Sequence, residues 1–76
     1  MKRIYPQQVA QDASRAIIET MTTAQASHGD AWRTRSPYED IAHVIEHLRL
    51  FSVGDTTEPH IKHAITRLAF IVSRGD

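Results

Sequence analysis

The chain has 76 residues, nine basic and nine acidic side chains, and no cysteine. The lack of cysteine excludes disulfides, thiolate nucleophiles and the usual structural zinc sites, and it suits a reducing cytoplasm. Charge neutrality gives no bulk field to hold DNA or an acidic membrane surface, and no apolar run is long enough to span a bilayer. We therefore expect one cytoplasmic domain over residues 1–76 that binds neither DNA nor a membrane.

The first predicted helix spans roughly residues 6–27. Its apolar side chains recur at steps of three and four residues, which places them on one side of a helix, and Pro6 suits the first turn. The stretch SHGD interrupts this pattern, and Gly29 can adopt the left-handed conformation that ends helices. A connector containing Trp32 follows. We interpret Trp32 as a plug over the end of a small core, with base stacking as the alternative.

The second predicted helix spans roughly residues 37–52 and has the clearest start signal in the chain. In the stretch SPYED, Ser36 is suited to cap the helix, Pro37 to occupy its first position and Glu39 to complete a capping box. Gly54 marks its end. The apolar stripe that we expect to face the core consists of Ile41, Val44, Ile45 and Leu48.

The third predicted helix spans roughly residues 58–73. Thr56 or Thr57 is suited to cap it, and Pro59 lies in its first turn. Its apolar stripe consists of Ile61, Ala64, Ile65, Leu68, Ala69 and Val72. Because no strand alternation is found, the pattern predicts an all-α fold, a helical hairpin plus an N-terminal helix, that completes a larger bundle by oligomerisation.

Homo-oligomerisation is expected for two reasons. A chain of this length hides only about 60% of its unfolded surface, so a monomer would be marginal. The otherwise polar faces of the second and third helices also contain one large apolar residue each, Leu50 and Phe70. Solvent exposure would be unfavourable for both side chains, whereas a subunit interface or a pocket would accommodate them. The simplest arrangement is a dimer in which these faces cover each other.

The same polar faces contain histidines. The stretch HVIEH has the H-x-x-E-H order of inverted zinc peptidases, but such enzymes need a third ligand and a substrate cleft, and a solvated helix face is the plain alternative. The stretch EPHIKH contains a second pair. A short turn brings the end of the second helix close to the start of the third. We therefore expect His47, His60 and His63 to form one polar site, in which His43 matters less.

The candidate site has further members. Arg67 lies on the same face as His60 and His63, so we include it, with Trp32, among the predicted ligand-binding residues. The predicted metal ligands are Glu46, Asp55 and Glu58, whose carboxylates suit magnesium or manganese. A transition metal would instead prefer the imidazoles. For Glu58 the helix dipole is an alternative explanation, because it lies in a predicted first turn.

The order of four segments resembles the N-terminal family of dATP/dGTP diphosphohydrolases, small α-helical phage and bacterial proteins similar to MazG-type pyrophosphatases. The segments are SHGDAW, YEDIAHVIEHLRLF, GD and PHIKHAITRLAFIV. The matching positions are Gly29, Trp32, His47, Leu48, His60, His63 and Ala64. The chain departs from the family at Glu46, where the family has arginine, and it lacks the paired acidic signature of MazG metal sites. The resemblance implies a helical fold and a nucleotide-linked function, with or without hydrolysis.

Two classes of function follow from these observations. The first is a metal-dependent (d)NTP pyrophosphohydrolase, or a reduced relative that only binds nucleotide. The second is a small non-enzymatic interaction protein, of the kind that phages encode, which uses the histidine and arginine face to block a host protein or to sequester a ligand. Charge neutrality argues against a DNA mimic.

Overall fold

The computed structural model describes residues 5–28 and 31–75, although the side chains of residues 24–28 lie outside that description. It contains α1 (Pro6–His28), a short 3-10 helix (Ala31–Arg33), α2 (Pro37–Ser52) and α3 (His60–Ser73). The described residues contain no strand, so the predicted all-α fold of three helices is confirmed. The predicted helix boundaries are confirmed to within about two residues. Gly29, the predicted end of the first helix, lies outside the described residues.

The ends of α2 follow the signals of Ser36, Pro37 and Gly54, whereas among the described residues no hydrogen bond to the Glu39 side chain completes the predicted capping box. The Ser36 hydroxyl accepts a hydrogen bond from the backbone N–H of Tyr38 at 3.2 Å, and Pro37 occupies the first helical position. At the other end Gly54 has a φ of 84°, which places it in the left-handed region that an ordinary side chain disfavours. This conformation lets the backbone N–H of Asp55 reach the carbonyl of Leu50 at 3.0 Å and close the helix.

The predicted cap of α3 is wrong. The cap position is Pro59, which has no side-chain cap hydrogen bond. The Thr57 hydroxyl instead donates to the Asp55 carboxylate at 2.6 Å, and the Thr57 backbone N–H donates to the same oxygen at 3.3 Å. Because Asp55 attracts both Thr57 donors, the turn folds around that carboxylate before α3 begins.

The core between α2 and α3 corrects the predicted faces. The two helices pack against each other, and α1 packs against α3, where Lys62 contacts Glu19 at 3.3 Å. Among the described residues, the buried side chains are Asp40, Val44, His60, Ala64, Thr66 and Phe70. Most of the predicted apolar stripe is exposed instead, with Ile45 at 62% and Val72 at 66%. The α2–α3 contact is therefore formed at the border between polar face and apolar stripe, by Asp40 and Val44 of α2 and by His60 and Ala64 of α3, and most of the predicted apolar stripes lies outside that contact.

Phe70 is covered within the chain. Its ring stacks on Trp32 with the centroids 5.2 Å apart and an angle of 20° between the planes. The Arg35 guanidinium lies 5.6 Å from the centroid of the same ring. The interpretation of Trp32 as a plug over a small core is therefore confirmed. The prediction that Phe70 needs a second subunit to cover it is wrong, because the connector supplies that cover.

The buried carboxylate of Asp40 joins three parts of the chain. Its Oδ1 accepts hydrogen bonds from Arg35 Nε and Arg67 Nη1, both at 3.0 Å, and its Oδ2 accepts one from Arg74 Nη2 at 2.7 Å. Arg74 also donates to the carbonyl of Trp32. The connector, the start of α2 and the end of α3 are thereby held together. We call Asp40 with these three arginines the arginine clamp.

Candidate metal centre

The turn between α2 and α3 brings three histidines and two carboxylates together. His47 comes from the end of α2 and His60 and His63 from the start of α3, while Asp55 and Glu58 come from the turn. The His47 ring centroid lies 5.3 Å from the centroids of both other histidine rings. The predicted proximity of the three histidines is therefore confirmed. We call these five residues the histidine pocket.

The inner part of the pocket is a chain of three groups. The Nδ1 atoms of His47 and His60 are 3.0 Å apart. One of these nitrogens must therefore carry the proton and donate the hydrogen bond, and the other must accept the hydrogen bond. On the other side of its ring, His60 Nε2 lies 2.5 Å from Asp55 Oδ2, which can only accept while the carboxylate is ionised. The His60 side chain is 1% exposed. Burial and two partners fix the orientation of this ring.

The outer part of the pocket is arranged around one carboxylate oxygen. Glu58 Oε1 lies 2.8 Å from His63 Nδ1 and 3.4 Å from His47 Nδ1. One ligand atom from each of these three residues lies within 4.8 Å of the other two. Donor atoms around a tetrahedral zinc ion are roughly 3.4 Å apart, given bond lengths near 2.1 Å. The contacts of Glu58 Oε1 are therefore close to the spacing that the ligands of one ion require.

The pKa shifts in the pocket favour a neutral His47 beside ionised carboxylates. Burial lowers the pKa of His47, and the charges of neighbouring histidines add to that effect against the opposing charge of Glu58. The hydrogen bond from His63 lowers the pKa of Glu58, and the hydrogen bonds from Thr57 and His60 lower the pKa of Asp55. Neutral imidazole and ionised carboxylate are the protonation states that bind metals.

The other predicted site residues have different partners. Glu46 forms a two-pronged ion pair with Arg49 on the exposed side of α2, with its closest contact at 2.7 Å. Arg67 belongs to the arginine clamp, and Trp32 stacks on Phe70, which lies about 15 Å along α3 from His60. The structure therefore brings Asp55 and Glu58 to the histidines and engages the other predicted ligands elsewhere.

Two relationships were not predicted from the sequence. Asp55 was predicted as a metal ligand, but its Oδ2 contacts His60. Asp40 was not among the predicted site residues, yet it is the centre of the arginine clamp. The spacing of Arg67 and Arg74, seven residues apart and so on one face of α3, was the available signal.

No protein-family model, curated protein or solved structure matches this chain. The resemblance to the dATP/dGTP diphosphohydrolase family therefore stays a prediction. Within the described residues, every helix is too short or too polar to cross a bilayer.

Proposed function

We propose that the protein binds a divalent transition-metal ion of the zinc class in the histidine pocket, through His47, Glu58 and His63. The observation that supports this proposal is the convergence of two imidazoles and one carboxylate within 4.8 Å. Two nitrogen donors and one oxygen donor suit zinc and its neighbours, whereas magnesium prefers an octahedron of oxygens. Glu46 does not complete such an octahedron, because Arg49 binds its carboxylate.

His60 and Asp55 give the proposed site its outer support. Metal-binding histidines commonly donate a hydrogen bond from the ring nitrogen that does not bind the ion, and loss of the partner weakens metal binding about 10–100-fold. His60 contacts Nδ1 of His47 on one side of its ring and Asp55 on the other, so it is positioned for this role when His47 binds the ion through its second ring nitrogen, Nε2. We propose that it positions His47 rather than binding the ion.

Titration calorimetry with zinc tests the proposal. His63→Ala and His47→Ala should each weaken zinc binding at least tenfold, because each removes one of three ligands. His43→Ala is the matched control, since His43 is an exposed histidine of the same helix and lies outside the pocket. Zinc should bind more tightly than manganese, and manganese more tightly than magnesium. Equal zinc affinity in His63→Ala and the unchanged chain would show that the pocket does not bind the ion.

Metal-dependent hydrolysis of nucleoside triphosphates is the second candidate function. The observation that favours it is the accessibility of the outer ligands, since the side chains of Glu58 and His63 are 44% and 31% exposed. Three protein ligands with an open fourth position are typical of catalytic zinc sites, where the ion activates a water molecule. Arg67 and Trp32 are occupied in packing, so the nucleotide phosphates would have to be bound mainly through the ion.

Pyrophosphate release from dNTPs distinguishes the two candidates. The protein loaded with zinc or manganese should release pyrophosphate and nucleoside monophosphate, and His63→Ala should lose that activity. If the loaded protein binds metal but turnover equals that of His63→Ala, hydrolysis is excluded and metal binding remains. Such a result would favour the non-enzymatic class.

We also propose that the protein is a homo-oligomer. Among the described residues the buried apolar side chains are Val44, Ala64 and Phe70, a small core for a chain of 76 residues. Small domains of this kind commonly gain stability from association.

A further inference from the structure

An apolar surface runs along the outside of the α2–α3 hairpin. Its members are large side chains that are each between 41% and 66% exposed: Ile41, Ile45, Leu48, Ile61, Leu68 and Val72. Scattered exposed apolar residues are ordinary on a protein surface, but a contiguous set on neighbouring helices marks an interaction site. We call these six residues the apolar face.

Helical geometry places the two halves of the apolar face side by side. Successive residues of a helix differ by about 100° around its axis. In α2, the side chains of Asp40 and Val44 point into the α2–α3 contact. The members of the apolar face on this helix are rotated by about 90° around the helix axis from those two residues. In α3 the exposed residues lie about 80° around, in the same rotational sense, from His60 and Ala64. Because a short turn makes the helices antiparallel, equal rotations bring both sets to one side of the hairpin.

A different side of α3 is occupied by α1. Lys62 there contacts Glu19 of α1, about 100° further around α3 from the apolar face. The helix α1 therefore leaves the apolar face uncovered, so whatever covers it must come from outside the described part of the chain.

The exposed area is large enough for a subunit interface. The chain exposes 5947 Å². A compact monomer of 8.6 kDa would expose roughly 4,700 Å², so the excess is about 1,200 Å². A standard interface buries about 800 Å² on each partner. Burying an area of that size on each subunit would bring the exposed surface per chain closer to that of a compact chain of this mass.

We propose that a second copy of this chain docks on the apolar face and forms a two-fold symmetric dimer with two α2–α3 hairpins in contact. A self-complementary face suits a two-fold axis, because each apolar residue meets apolar residues of the other copy. The formal net charge of zero removes the self-repulsion that would oppose such pairing. This inference rests on the proposed homo-oligomer and is independent of the metal site, since the histidine pocket lies between α2 and α3.

Sedimentation equilibrium at micromolar concentration tests the interface. The unchanged chain should have twice the mass of an 8.6 kDa monomer. Ile45→Asp should raise the dimer dissociation constant at least 100-fold, because two carboxylates would be placed within an apolar interface. Ile18→Asp in α1 is the matched control, since Ile18 is 63% exposed and Ile45 is 62% exposed. Leu48→Asp is a second interface variant, for the case that Ile45→Asp fails to fold.

Each outcome supports or overturns a named part of the proposal. A monomeric unchanged chain would overturn both the homo-oligomer and this interface, and the apolar face would then be open to a different protein. A dimer that Ile18→Asp disrupts, while Ile45→Asp and Leu48→Asp leave it intact, would keep the homo-oligomer and reject the interface. Zinc affinity measured on Ile45→Asp separates the two sites, because loss of the dimer should leave metal binding within twofold.

Discussion

Asp40→Ala is expected to lower the free energy of unfolding by about 3 kcal/mol, as measured by urea denaturation. The change leaves three guanidinium groups converging on an empty position, and removing one partner of a buried ion pair typically costs 3–5 kcal/mol. The lower end of that range applies here. Asp40 itself is fully buried, but the side chains of Arg35, Arg67 and Arg74 are 16–23% exposed and can partly turn to water.

Two further variants test whether the stability depends on the charge of Asp40 and on its position within the arginine clamp. Asp40→Asn keeps the shape and one acceptor oxygen, so it should retain part of the stability that Asp40→Ala loses. Glu39→Ala is the neighbouring control, because Glu39 is an exposed carboxylate in the same first turn of α2 and should change stability by less than about 1 kcal/mol. If Asp40→Ala and Glu39→Ala lower the free energy of unfolding equally, the Asp40 carboxylate stabilises the protein through the helix dipole and not through the arginine clamp.

The clamp also predicts how stability depends on pH. Burial by itself raises the pKa of Asp40, but hydrogen bonds from Arg74 and Arg67 and the charge of Arg35 lower the pKa below its ordinary value of 3.8. A carboxyl with a lowered pKa in the folded state adds stability above its unfolded pKa. That stability is lost as the pH falls below about 3.8 toward the folded pKa. Asp40→Asn should lack this component of acid unfolding.

Local signals predicted the helices well because each one acts over a few residues. Pro6, the pair Ser36 and Pro37, and Gly54 fix where helices begin and end through their own backbone preferences. The meeting of the three histidines was also predictable, since it needs only a short turn between antiparallel helices. Neither inference requires knowledge of distant contacts.

The packing face could not be predicted from periodicity in the same way. A helical pattern shows which residues share a face, but it does not show whether that face meets a helix of the same chain or of another copy. Here Asp40 binds arginines 27 and 34 residues away, and this pairing turns the Asp40 side of α2 toward α3. The contact of Asp55 with His60 was also beyond prediction, because it depends on how Thr57 folds the turn around that carboxylate.

The hairpin is therefore held by polar groups at both ends of the α2–α3 contact. The arginine clamp joins the start of α2 to the end of α3, and the histidine pocket joins the end of α2 to the start of α3. Polar contacts of this kind specify how α2 and α3 align with each other. The apolar side chains that would supply most of the free energy of burial point outward. This division is the physical reason for the dimer that we propose, and binding of the proposed metal ion at the turn would add stability independently.

Phe70→Ala is expected to lower the free energy of unfolding by about 3–5 kcal/mol, the usual loss for a buried phenylalanine. Phe70 is 8% exposed and its ring stacks on Trp32, so the change leaves a cavity and frees the connector. Tyr38→Ala is the control, since Tyr38 is an aromatic residue that is 80% exposed. Emission from Trp32, the single tryptophan, should shift toward that of solvent-exposed indole before global unfolding.

The stability that Phe70→Ala loses can be measured at several protein concentrations. Its dependence on concentration distinguishes packing within the chain from packing between chains. Because the ring is covered by Trp32 of the same chain, Phe70→Ala should lose stability by the same amount at every protein concentration. It should also leave the dimer dissociation constant near that of the unchanged chain wherever the variant is folded. A loss that appears only at concentrations where the chain is dimeric would mean that a second copy covers Phe70, and the stacking on Trp32 would then not account for its burial.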